Sequence, residues 1–296
     1  MTAPRVVVVV KRTLYSRHVE DEDDPEVRRL LDRHDPSVAG WHTGHREHVA
    51  TLAAVKRALE ELGARVWVLH GPRVVFDASD AALVVTVGGD GTLLAASHHV
   101  GEAPILGVNS SPRSSVGFFC ASRRGDVRTM LARALRGDVP SVRLARMQVS
   151  VNGRVVSRRV LNEVLFCHAT PAAASRYILR YERRSEEQVS SGFWIGTAAG
   201  STGALHSAGG KILPLGSKRL EAVVREPFAG GGARYRMTRV LVEPGRELTA
   251  VSKVKDACLF LDGPFRRVPV GLGDKVSFTV SSEPLRVLGL TARRGR

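Results

Sequence analysis

The sequence predicts two domains, an α/β N-terminal domain with a parallel sheet over residues 1–140 and a β-rich C-terminal domain over residues 141–296. Three observations carry this. In the first half, short runs rich in Val, Leu and Ile alternate with segments of helical periodicity, as in a doubly wound sheet whose strands are buried on both faces. From about Ser141 the helices give way to short alternating runs separated by turn residues. The length of 296 residues is enough for two cores of ordinary size.

Taken in order, residues 5–10 open the chain as a strand, with an unbroken run of β-branched valines over 6–10. Asp24 followed by Pro25 has the form of an N-cap with proline at the first helical position. Leu52, Val55, Leu59 and Leu62 recur at helical spacing and stop at Gly63, a left-handed terminator. Strands follow at 65–69, 82–87 and 104–108, with a short helix over 93–97 between the last two. A further helix runs from Asp126 through Met130, Leu131 and Leu135 to Gly137. In the second half, 147–151, 154–157, 177–181, 240–242 and 257–261 are strands, and Asn152-Gly153 is a hairpin turn between the first two. Residues 217–225 stand out as a helix. The closing strands, 276–280 and 285–288, are placed to return toward the first domain. The acidic run at 20–24 is expected as a solvated surface loop.

A net charge of +15 and a pI near 10.7 raise nucleic acid as a partner. The distribution argues otherwise. Seven lysines and 37 arginines are spread along the whole chain among acidic residues, without a basic helix, a zinc-finger spacing or an aromatic RNA-binding stretch. The expectation is no specific nucleic-acid partner, and local use of the charge on phosphorylated ligands. No apolar run nears the roughly 18 residues that span a membrane, and the valine pentad is too short for a secretory signal. A cytoplasmic location with no membrane partner is therefore expected. Cys120, Cys167 and Cys258 are odd in number and widely spaced, so reduced thiols are expected rather than a disulfide framework or zinc site.

The strongest chemical signal is Val87-Gly88-Gly89-Asp90-Gly91-Thr92, between an apolar strand and a helix. Glycines let the backbone turn tightly against a ligand, and the N–H groups of the following helix favour phosphate oxygens. A carboxylate would repel that phosphate, so Asp90 needs a reason: either general-base removal of a hydroxyl proton or contact with a Mg²⁺ ion. The bland alternative is a glycine turn whose Asp caps the helix. A second cluster, from Ile195 through Thr197, Gly200, Ser201, Thr202 and Gly203 to Gly210, is dense in small residues and hydroxyls. It suits a flat ligand and hydrogen bonds to a base or ribose, and would equally suit a close-packed helix start. Leu161-Asn162-Glu163-Val164 places an amide and a carboxylate in an apolar strand, where ribose hydroxyls or a satisfied core pair would serve as partners. Neither a P-loop nor a Gly-x-Gly-x-x-Gly fingerprint occurs, and Ser201 lacks a nucleophile elbow. His42, His45 and His48, three residues apart, would on one helix leave the outer two about 600° apart, off a common face.

At these residues the chain resembles the NAD kinase family over nearly its full length. Gly89-Asp90-Gly91-Thr92 matches the family's Gly-Gly-Asp-Gly-Thr loop, Asn162-Glu163 its Asn-Glu/Asp pair, and Gly200-Ser201-Thr202 its Thr-Gly-Ser-Thr-Ala-Tyr segment. The first motif is shared with lipid and sphingoid kinases, and the other two separate the families. Residues 7–12, 87–97, 104–110, 197–210 and Val224-Arg225-Glu226-Pro227 are similar to the branch containing plant-type NADH kinases. The resemblance implies an NAD kinase-like fold, a β-rich dinucleotide-binding second domain, and a homodimer or homotetramer. It implies phosphoryl transfer to the adenosine-ribose 2′-hydroxyl of NAD or NADH with Asp90 as base. Gly89, Gly91 and Thr92 would approach phosphate and Asn109 would lie near the donor. Asn162 and Glu163 would bind adenine and ribose, with Thr197, Gly200, Ser201, Thr202 and Gly203 on the adenine side. ATP or polyphosphate is the implied donor, with Mg²⁺ carried on it rather than ligated by a protein cluster. The chain departs from the family pattern at Ala199, Gly203 and Ala204, where an aromatic stacking partner is missing. Ser191 stands in place of an Asp before Gly192, and residues 110–115 are extra. These departures bear on substrate preference. The competing readings are a lipid or sphingoid kinase, which would need an apolar acceptor pocket, and a non-catalytic dinucleotide sensor.

Overall fold

The structure, a computed structural model, describes residues 3–71, 74–228, 230 and 234–290. The chain divides into two compact units: one runs to Val142 and takes the chain back from Arg286, and the other runs from Arg143 to Leu285.

The first unit is a parallel sheet flanked by helices. The valine pentad makes β1 (Arg5–Val10), buried almost throughout. Next come α1 (Pro25–Asp32), α2 (Trp41–Glu61), β2 (Arg65–His70), β3 (Leu83–Gly88), α3 (Asp90–Ser97), β4 (Ile105–Asn109), β5 (Cys120–Arg123), α4 (Val127–Arg136) and β6 (Ser141–Leu144). Asp24 caps α1 by accepting from the N–H groups of Glu26 and Val27. Gly137 ends α4 in the left-handed conformation. The β1–β2, β1–β3, β3–β4 and β4–β5 pairs are parallel. Val55 and Leu59 of α2 and Leu131 of α4 pack on Val6, Val8, Val85 and Val108.

Two antiparallel sheets make the second unit. In order they are β7 (Met147–Val151), β8 (Arg154–Val160), β9 (Glu163–His168), β10 (Ser175–Tyr181), β11 (Arg184–Ser190), β12 (Phe193–Gly196), the short helix α5 (Ala204–Ser207), β13 (Leu220–Val224), β14 (Arg239–Val242), β15 (Leu248–Ser252), β16 (Ala257–Leu261), β17 (Arg266–Val270) and β18 (Lys275–Val280). One sheet has the order β11-β10-β15-β18-β7-β8 and the other β14-β13-β12-β9-β16-β17. Their inward side chains form one core, in which Phe193 stacks on Phe166 with 5.2 Å between ring centroids and meets Phe278 edge-on. The last strand, β19 (Leu285–Leu288), joins the first sheet between β4 and β6, whereas β18 pairs β15 and β7 in the second unit.

Residues 217–225, expected as a helix, instead contain strand β13, paired with β12 and β14 and buried at all five positions. Periodicity cannot separate a short, wholly buried run from a helix turn, and the two neighbouring strands decide it. The acidic run lies at the solvated surface, begins in a helical turn over Ser16–Asp21, and meets partners there: Glu20 the His45 ring, Asp21 Arg12, and Asp23 Arg28. Among the described residues no helix is long and apolar enough to cross a membrane, and no group of three or more His, Cys, Asp or Glu side chains could hold a metal ion.

Candidate active site

In the first unit the functional residues gather at the carboxyl ends of β1, β3 and β4, where open parallel sheets place their ligand sites. β3 ends at Gly88, and a Cβ there would lie 2.2 Å from the Thr92 hydroxyl, so only glycine lets the chain turn so tightly into α3. Asp90 is the first residue of α3 and does not cap it. Its two carboxylate oxygens instead each accept one backbone N–H, from Phe119 at 2.8 Å and Phe118 at 2.9 Å. Two donors fix the plane of the carboxylate and leave each oxygen a further lone pair for an incoming proton. Beside it, Gly91 is exposed and Thr92 buried.

Asn109 sits at the end of β4, and its side chain is occupied. Its amide donates to the Ser115 carbonyl at 3.0 Å, and its oxygen accepts from the Ser111 N–H at 3.1 Å. It therefore braces the serine-rich loop over 110–115 against β4, and that loop runs on into the Phe118 and Phe119 amides that hold Asp90.

Two further residues complete this edge: Lys11, which the sequence did not single out, and His48, considered there only for a metal site. Lys11 follows β1, hydrogen-bonded through its N–H to the Val87 carbonyl at 2.9 Å. Its half-buried ammonium has no side-chain partner among the described residues, and burial lowers its pKa. His48 of α2 is 4% exposed and bonds through Nδ1 to the Ser110 hydroxyl at 2.9 Å. Burial first, then the nearby charges of Lys11, His45 and His70, push its pKa down to about 4, so it is neutral at physiological pH. The available signal for Lys11 was positional: a cation directly after a buried parallel strand.

The second unit holds the other group. At the start of β9 the segment Leu161-Asn162-Glu163 wraps around the Asp262 carboxylate, which accepts from Leu161 N–H at 2.8 Å, Asn162 N–H at 2.7 Å and Glu163 N–H at 3.2 Å. The arrangement is reciprocal, because the Asp262 N–H donates to the Glu163 carbonyl at 2.9 Å. Held this way, Asn162 keeps a buried side-chain oxygen with no hydrogen-bond partner among the described residues. Burial, and secondarily the Asp262 charge, push the Glu163 carboxyl up to about 7. Gly200 closes against this pair: a Cβ there would lie 2.6 Å from the Asn162 carbonyl oxygen and 2.7 Å from the Glu163 carboxylate.

The hydroxyls expected to face a base or ribose divide. Thr197 and Ser201 are fully buried. Thr197 donates to the Leu161 carbonyl at 2.5 Å and accepts from Ala199 N–H, while Ser201 donates to the Ala198 carbonyl and accepts from Leu213 N–H. Thr197 ties the turn to Leu161 just ahead of β9 and Ser201 ties it to Leu213, and both hydroxyls are buried on backbone partners. Thr202 and Gly203 are exposed.

Residues 73–139 match the family model described as the ATP-NAD kinase N-terminal domain. A crystal structure of an NAD kinase from Archaeoglobus fulgidus in complex with ATP superposes with a TM-score of 0.65 at 20% identity, over 95% of this chain and 92% of that one. Yeast NADH kinase complexed with NADH gives a TM-score of 0.66 at 13% identity, over 99% and 85%. The fold is thus that of a nucleotide-utilising kinase. Sequence carries the assignment further: a probable NADH kinase of rice is 32% identical over 231 residues, 71% of each chain, and the Arabidopsis thaliana NADH kinase is 32% identical over 243 residues, 73% of this chain and 76% of that one. The chain belongs to the NAD kinase family.

Proposed function

We propose that the protein phosphorylates the adenosine-ribose 2′-hydroxyl of NAD or NADH, with Asp90 as general base. The observation that carries this reading is the Asp90 carboxylate, held by two backbone amides at the N-terminus of α3 beside a glycine turn. A capping Asp would spend its oxygens on its own helix. Here the 2′-hydroxyl proton passes to Asp90 as the new P–O2′ bond forms. The bond from the terminal phosphorus to the donor's bridging oxygen breaks, and its electron pair leaves with the shortened donor. Lys11 and the free N–H groups of α3 lie where donor phosphates would need neutralising. Asn162 and Glu163 offer an acceptor oxygen and a carboxylate to ribose and base. A divalent cation, Mg²⁺, would arrive on the donor phosphates.

The test is turnover of purified protein with Mg²⁺ and ATP, or polyphosphate, offering NAD and NADH separately and detecting NADP and NADPH by a coupled dehydrogenase. Product from either acceptor supports the reading, and no product with either donor overturns it. Asp90→Asn keeps one amide-accepting oxygen but cannot take the proton, so it is expected to bind dinucleotide while losing at least about 100-fold in turnover. Undiminished turnover would remove Asp90 as base.

A further inference from the structure

The outward face of the sheet β14-β13-β12-β9-β16-β17 carries a cavity of about 440 Å³ that reaches from Glu163 to Trp194 and Phe260. Strand alternation builds it. Phe166, Phe193 and Leu259 point into the core, so their neighbours Leu165, Trp194 and Phe260 point out. Register then sets those three in one row across three strands, Trp194 opposite Leu165 and Leu165 opposite Phe260. Glu163, two residues before Leu165, lies on the same face and lines the cavity.

The Trp194 indole is half-buried and also borders a second hollow, lined by Ala204 and Ala208. The Arg225 guanidinium lies 5.9 Å from its ring centroid and lines both hollows. A flat aromatic floor with the Arg225 cation over it, itself paired with Glu226 at 4.0 Å, and a carboxyl group at its end form a mostly apolar pocket with a few convergent polar groups. An alkyl chain would leave the Glu163 carboxyl without use. A planar nitrogen heterocycle carrying ribose phosphate uses all three: ring on indole, phosphate toward guanidinium, ribose hydroxyls toward Glu163.

We propose that Trp194 is the stacking platform for one heterocycle of the acceptor dinucleotide, and that Arg225 meets its phosphate. This rests on the acceptor being a dinucleotide.

The experiment titrates the full-length wild type, Trp194→Ala and Trp194→Phe by calorimetry with NAD, NADH, AMP and nicotinamide mononucleotide, alongside KM and kcat. Base stacking on an aromatic side chain sets the expected loss for Trp194→Ala at about tenfold in affinity for the dinucleotide and for whichever mononucleotide carries the stacked ring. KM for the dinucleotide rises in step, kcat and the ATP KM stay near wild type, and Trp194→Phe recovers most of the affinity. Trp67→Phe, on the first unit, is the control and changes nothing. Unchanged affinity of folded Trp194→Ala for all four ligands overturns the proposal, as does a loss explained wholly by altered self-association in sedimentation, which would make the face a contact between copies. If no dinucleotide is turned over yet the mononucleotide affinity falls in Trp194→Ala, the cavity stands as a heterocycle site and the kinase reading is what fails.

Discussion

Replacing Asp262 by Asn tests whether the acceptor pair is pre-organised by a residue about a hundred positions away. The native carboxylate accepts three backbone N–H groups at 2.7, 2.8 and 3.2 Å, so each bond is charge-assisted. In the Asn variant the remaining oxygen can still serve Asn162 and Glu163 as a neutral acceptor, while the new NH₂ faces the Leu161 N–H, donor against donor. Backbone strain does not confuse the result, because Asp262 has φ 50° and Asn tolerates that region well. One orphaned donor and two weakened bonds amount to about 2–4 kcal/mol of stability. Urea unfolding followed by circular dichroism reads that loss, and dinucleotide affinity should fall with it as Asn162 and Glu163 loosen. A second readout separates positioning from simple destabilisation. Burial and then Asp262 hold the Glu163 carboxyl near pKa 7, so neutralising Asp262 should move the pH midpoint of dinucleotide affinity downward. The sign for stability follows from the same shift. The folded chain keeps the Glu163 proton to about 7 and the unfolded chain releases it near 4.5, so the wild type loses this contribution as pH rises across that window. A variant within about 0.5 kcal/mol of wild type, with unchanged affinity and pH midpoint, would refute the argument.

His48 is buried and neutral with its pKa lowered to about 4, against 6.5 when free, so its contribution is complete above about 6.5 and is lost as pH falls toward 4. The urea midpoint of the wild type should therefore drop over that range, and His48→Gln should flatten the drop; an unaltered slope would count against it. Gly200→Ala must push a methyl against the Asn162 carbonyl and the Glu163 carboxylate, at a cost of roughly 2–4 kcal/mol. Its KM for dinucleotide should rise, and a variant as stable and active as wild type would show that the close approach is not required.

Much of the first unit was legible locally. A valine pentad, Asp24-Pro25, the leucine spacing that ends near Gly63, and Gly137 each act through residues within a few positions, as backbone propensity and capping do. The same locality misled at residues 217–225, where five buried positions looked helical until β12 and β14 claimed both edges of the chain. At Thr197 and Ser201 the sequence showed small polar side chains, and the structure gives their hydroxyls to the Leu161 and Ala198 carbonyls. A motif shows which hydroxyls are present, and packing decides which of them are already satisfied.

By itself the sequence determined the change from alternating helices and strands to strands and the glycine turn with Asp90 at the head of a helix, because periodicity and spacing are written along the chain, and the resemblance of its motifs pointed to the family. Only the tertiary structure decided who holds each functional group. Phe118 and Phe119 orient Asp90 from about 30 residues away, Asp262 gathers Leu161, Asn162 and Glu163, and register across three strands sets Trp194 beside Leu165 and Phe260. The physical reason is that a buried polar group must find a partner wherever the fold brings one, and strand pairing joins positions whose separation in sequence carries no periodic signal.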